Sequence, residues 1–140
     1  GLITLTTRYT ANGVDVTPTP PPTQTLRIPA AAPVLTRLEL NRTTNGFELI
    51  VTGYSNTRDV SRANVRITPA GGASVTGTEL TVDLGALFTS YYGSAASAPF
   101  GTQFRLALPF SVSGALSDIA SASITLTNSA GTSNSLSVNF

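Results

Sequence analysis

Gln103-Phe104-Arg105-Leu106-Ala107-Leu108-Pro109-Phe110 alternates along its whole length. Phe104, Leu106, Leu108 and Phe110 fall on one side, and Gln103, Arg105, Ala107 and Pro109 on the other. A side-chain period of two marks a strand with one buried face. The same period recurs on both sides of this stretch. Leu35 to Asn41 turns Leu38 and Leu40 inward, and Phe47 to Tyr54 does the same with Phe47, Leu49 and Val51. Asn45-Gly46 between them is a hairpin turn signal. Ala63 to Thr68 contributes Val65 and Ile67, and Glu79 to Leu84 contributes Leu80, Val82 and Leu84. Ala122 to Thr127 adds Ile124 and Leu126. Asn134 to Phe140 adds Leu136, Val138 and Phe140. One short helix interrupts the strands: Asp83 is its candidate cap, Ala86 to Tyr92 its body and Gly93 its stop.

Seven strands between residues 34 and 140 match the count of an immunoglobulin-like, two-sheet β-sandwich. The expected fold is therefore all-β, with the sandwich over residues 31–140. Residues 1–30 read differently. Leu2 to Tyr9 alternates, placing Ile3, Leu5 and Tyr9 on one face, and Ala11-Asn12-Gly13 is a turn. Thr17-Pro18-Thr19-Pro20-Pro21-Pro22 reads as a polyproline-II spacer. Thr25 to Ile28 is a short extended piece ended by Pro29. This pattern predicts a detached N-terminal strand or hairpin on a Pro-rich linker. From Asn12 to Thr25 such a linker reaches about 40 Å, the length of a small domain.

Composition narrows the chemistry. Among 140 residues there is no Cys, His or Met, and all eight cations are Arg. Thiol, imidazole and Lys amine chemistry are thereby excluded, along with a zinc-thiolate site, a P-loop and a Lys-Asn cross-link. No catalytic, cofactor-binding or metal-binding residues are expected. A net charge of +1 offers no footprint for nucleic acid. No apolar run is long enough to predict membrane insertion. Charged residues make up 11% of the chain, under half the usual share, and 22 Thr and 15 Ser take their place. A hydroxyl-rich, weakly charged surface suits a protein that sits against copies of itself, or outside a cell. Without Met, and with Gly at residue 1, the chain is expected to have been processed or excised from a longer one.

The sequence also echoes itself. Ile3-Thr4-Leu5-Thr6 returns as Ile124-Thr125-Leu126-Thr127. An offset of this size corresponds to one sandwich plus a linker, so residues 1 to about 28 read as the last hairpin of a preceding repeat. Three stretches resemble the immunoglobulin-like repeat domains near the C-termini of large secreted surface proteins of environmental bacteria. They are Thr43-Thr44-Asn45-Gly46-Phe47-Glu48-Leu49-Ile50-Val51-Thr52-Gly53-Tyr54-Ser55-Asn56-Thr57-Arg58-Asp59-Val60, Ser94-Ala95-Ala96-Ser97-Ala98-Pro99-Phe100-Gly101-Thr102-Gln103-Phe104, and Ser123-Ile124-Thr125-Leu126-Thr127-Asn128. The resemblance covers roughly residues 30 to 140. Val14-Asp15-Val16-Thr17-Pro18 and Leu26-Arg27-Ile28-Pro29-Ala30 are similar to the linkers between such repeats. It implies a β-sandwich, extracellular or cell-surface placement and a spacer or assembly role, with no catalytic residues.

A strand free to leave its own domain can complete a neighbour's sheet, as in donor-strand complementation. Head-to-tail donation does not close and so builds a filament. The expected role is thus a structural subunit of an extracellular filament or surface stalk. Its partners would be copies of itself, as a head-to-tail homopolymer, or adjacent immunoglobulin-like repeats. Ile3, Leu5 and Tyr9 are the expected subunit contacts, with Leu136, Val138 and Phe140 as their neighbours. The alternative is a carbohydrate-binding or adhesion module that stacks Tyr91 and Tyr92 on a polysaccharide. Glu79 and Asp83 lie about 13 Å apart along one strand. That exceeds the roughly 5 to 9.5 Å of a glycosidase pair. Arg58-Asp59-Val60-Ser61-Arg62 reads as a turn with local ion pairs, and Asn41-Arg42-Thr43 is the one N-glycosylation sequon.

Overall fold

A computed structural model describes all 140 residues, which divide into two compact units, Gly1–Ala30 and Ala31–Phe140. In the first unit β1 (Leu2–Thr6) is followed by β2 (Thr10–Ala11), β3 (Val14–Asp15) and β4 (Thr23–Arg27). β1 is not detached. It pairs antiparallel with β4, with Ile3 opposite Leu26 and Leu5 opposite Gln24. Gly1 and Ile28 extend the ladder by two further backbone bonds, of 2.7 and 2.8 Å. The proline segment is no extended spacer either. The Thr7 N–H donates to the Pro22 carbonyl, so the segment closes a loop between β3 and β4. β2 and β3 form a hairpin around Asn12-Gly13, both at positive φ, as a primed turn requires. The Asp15 carboxylate accepts the Thr17 N–H, and the Tyr9 N–H donates to the Thr17 hydroxyl. An unpaired strand would leave its backbone polar groups to water alone. The alternating stretch just past the prolines supplies the missing partner.

The second unit is an all-β, sandwich-like body. Its strands are β5 (Val34–Thr43), β6 (Gly46–Tyr54), β7 (Arg62–Pro69), β8 (Glu79–Asp83), β9 (Gln103–Ser111), β10 (Ile119–Asn128), β11 (Gly131–Thr132) and β12 (Leu136–Asn139). One antiparallel sheet runs β5-β6-β9. The other runs β8-β7-β10, with β11 and β12 both paired to β10. Inward residues of the two sheets meet in a single apolar core. Leu49, Val51, Leu106 and Leu108 come from the first sheet, and Val65, Ile67, Ile124 and Leu126 from the second. Phe47 joins the layers at one end. Its ring stacks on Phe110 at 5.1 Å and meets Phe140 edge-on at 4.8 Å. Pro109 sits on β9, an edge strand, where a missing N–H interrupts no ladder.

Between β8 and β9 the chain forms α1 (Gly85–Gly93) and a 3₁₀ segment over Ala95–Phe100. The Asp83 carboxylate accepts the Gly85 N–H at 2.9 Å, although Leu84 occupies the cap position. Phe88 and Tyr92 are the buried residues of this helix, and Phe88 packs edge-on against Phe104 at 5.1 Å.

Candidate interaction surface

β1 and β4 form an amphipathic ribbon. Residues directly opposite in an antiparallel pair share a face. Ile3 and Leu26 therefore lie on one face with Leu5, Gln24 and Ile28, while Leu2, Thr4, Thr6, Thr23, Thr25 and Arg27 occupy the other. The apolar face is uncovered: Ile3 is 43% exposed, Leu5 50%, Leu26 49% and Ile28 41%. In the β2–β3 hairpin the Val16 N–H donates to the Tyr9 carbonyl, which puts Tyr9, Val14 and Val16 on one face, also exposed. No residue of this unit is buried. β1 pairs only with β4, so the ribbon has two open edges.

The sequence-expected contact residues distribute unevenly over this arrangement. Ile3 and Leu5 are on the ribbon, but Tyr9 lies past the end of β1 and belongs to the second hairpin. Leu26, Ile28, Val14 and Val16 were missed. Their signal was the same period of two, in Gln24-x-Leu26-x-Ile28 and Val14-x-Val16, hidden by flanking prolines that suggested a spacer. Leu136 and Val138 lie on β12 and Phe140 just beyond it. All three are half-buried and packed against the core of their own unit, so their inward faces are not free for another subunit.

Tyr91 and Tyr92 do not offer a stacking platform. Tyr92 is buried, and its hydroxyl donates to the Thr102 carbonyl at 2.7 Å. The Arg58 guanidinium lies 5.3 Å from the Tyr92 ring centre and donates to the Tyr92 carbonyl. Burial, reinforced by the neighbouring Tyr91, pushes the Tyr92 phenol up to about 12. Tyr91 is half-buried, packs edge-on against Tyr92 at 5.0 Å and donates its hydroxyl to the Gln103 carbonyl. Both phenols thus anchor α1 to the start of β9.

Arg58 reaches Tyr92 from a loop held by a polar cluster. The buried Asn128 amide donates to the Ala31 carbonyl, the Ser55 hydroxyl and the Thr57 hydroxyl at 2.8, 3.1 and 2.8 Å. Its oxygen accepts the N–H groups of Ala130 and Gly131. Burial works against ionisation of the adjacent Asp59, but bonds from Thr57 and the Ser129 N–H hold its carboxyl below the usual value. This cluster is structural, with every amide position of Asn128 engaged inside its own unit.

Glu79 forms a long, exposed ion pair with Arg66 at 3.9 Å, on the solvent side of its strand. No three Asp or Glu side chains converge as a metal site would require. A cleft of about 360 Å³ opens at one end of the second unit, lined by Phe47, Ile67, Leu80, Phe110, Val112 and Ile119 among others. Its walls carry Asp118 as the one charged group. No helix is long and apolar enough to cross a membrane. No family model, no curated protein and no solved structure matches the chain.

Proposed function

We propose that the chain is a structural subunit of an extracellular filament or surface stalk, joined to its neighbours when the first unit packs against an adjacent β-sandwich. One observation carries this reading. The first unit holds Ile3, Leu5, Leu26, Ile28, Tyr9, Val14 and Val16 at its surface and buries nothing. A two-stranded ribbon with no core is marginal in water, and an apolar sheet face with open edges is a template for association. Burying the remaining half of Ile3, Leu5, Leu26 and Ile28 contributes about 1 kcal/mol each. That modest sum means face packing acts together with strand pairing at the open edges.

An immunoglobulin-like topology for the second unit is supported by its two antiparallel sheets around one core and by the helical crossover from β8 to β9. Extracellular placement is supported by the hydroxyl-rich, weakly charged, cysteine-free composition. The role is mechanical and not chemical: tension along the chain would be carried by ladder hydrogen bonds and a shared apolar core. Sedimentation velocity and negative-stain imaging of residues 1–140 beside residues 31–140 test the reading. Oligomers or fibres from the full chain and monomers from the shorter one are expected. Identical monomers from both would overturn it.

A further inference from the structure

The two hairpins that share the Ile-Thr-Leu-Thr echo also share a pairing. In the second unit Ile124 on β10 stands opposite Leu136 on β12, and in the first unit Ile3 on β1 stands opposite Leu26 on β4. The return strands match at every second position. Gln24-x-Leu26-x-Ile28 parallels Asn134-x-Leu136-x-Val138, an amide followed by two inward apolar residues. The surroundings of the two hairpins differ completely. Ile124 and Leu126 are 1% and 0% exposed, whereas Ile3 and Leu5 are 43% and 50% exposed. What covers the second hairpin is the rest of its own sandwich. Asn134 shows how the two fit together. Its amide donates to the Leu35 carbonyl and accepts the Leu35 N–H, at 3.0 and 2.9 Å, and so acts as a surrogate strand partner for β5.

From this correspondence we propose that the first unit is the closing hairpin of a further sandwich, lying ahead of it in a tandem array and otherwise built like β5 to β9. Ile3, Leu5, Leu26 and Ile28 would fill the places of Ile124, Leu126, Leu136 and Val138. Gln24 would reach the backbone of that sandwich's first strand as Asn134 does. A second copy of the present sandwich is the poorer acceptor, because its place is already filled by its own covalently attached hairpin. The inference rests on the first unit being the joining element and favours the stalk form of that role. In the isolated 140-residue chain, with no such sandwich ahead of residue 3, the ribbon stays uncovered and copies associate through it instead.

The test is a fusion in which residues 31–123 are placed directly ahead of residue 3 of the chain. This leaves the authentic second unit intact as an internal reference. Hydrogen exchange is read at the amides of residues 3–6 and 24–28. Exchange at least about 100-fold slower than in the 140-residue chain is the expected result, together with loss of that protection in the Leu26→Asp fusion while residues 31–140 stay protected. Unchanged exchange at these amides, with the second unit folded, overturns the inference. If the 140-residue chain still self-associates through residues 1–30 in that case, the assembly reading stands without it.

Discussion

Asn128 is where a single side chain holds most structure. Its amide bridges the loop after β6, the start of the second unit and the turn after β10. Removing it strands several partly buried donors and acceptors at once, with Ser55 fully buried among them. Asn128→Ala is therefore expected to destabilise the second unit by about 2–4 kcal/mol in denaturant titration, well above the ~1 kcal/mol of one ordinary hydrogen bond. A loss under 1 kcal/mol would mean that water replaces the network without cost. Tyr92 gives a second handle. Its folded pKa, raised to about 12, lies above the ordinary value of 10.0. Between these limits the folded state binds the proton more tightly than the unfolded chain does. The contribution is complete below pH 10 and is lost as pH rises towards 12. No Lys or Cys titrates in that window. Stability should fall with pH across it, and Tyr92→Phe should flatten the slope. Such residues were illegible in the sequence: an Asn, a Ser and a Tyr declare burial only once the chain is folded around them.

The elements of the second unit were legible for the opposite reason. β6, β9 and β10 each repeat apolar residues with a period of two, and burial follows that period. The helix was legible from its boundaries, Asp83 and Gly93, and not from an apolar stripe. The β1–β4 ribbon was not legible as a pair. Prolines between its strands signalled an extended spacer, whereas the backbone of β1 is better satisfied by folding the segment back. Edge strands show a related contrast. β9 carries Pro109 and β5 has its Leu35 backbone covered by Asn134, both of which blunt strand addition. The ribbon of the first unit carries no such protection on its apolar face. Because the second unit owns a complete core, residues 31–140 alone are expected to unfold cooperatively within about 0.5 kcal/mol of the full chain. A molten or unfolded product would show that residues 1–30 belong to that core.

For the whole molecule, charge and exposed apolar surface point the same way. A net charge of +1 and few ionic groups leave little repulsion between neighbours. The exposed apolar side chains of the first unit then decide where contact forms. The glycan reading weakens at this scale too, since the aromatic pair proposed for it is used internally to fix α1 on β9. The ribbon's two faces allow a decisive comparison. Thr25 and Leu26 are neighbours in sequence but point to opposite sides. Leu26→Asp and Thr25→Asp add the same charge, the first in place of an apolar side chain on the apolar face and the second in place of a hydroxyl on the polar face, and sedimentation velocity compares them. Leu26→Asp is expected to abolish self-association of the 140-residue chain while Thr25→Asp retains it. Equal behaviour of the two variants would contradict an assembly built on the apolar face of the N-terminal ribbon.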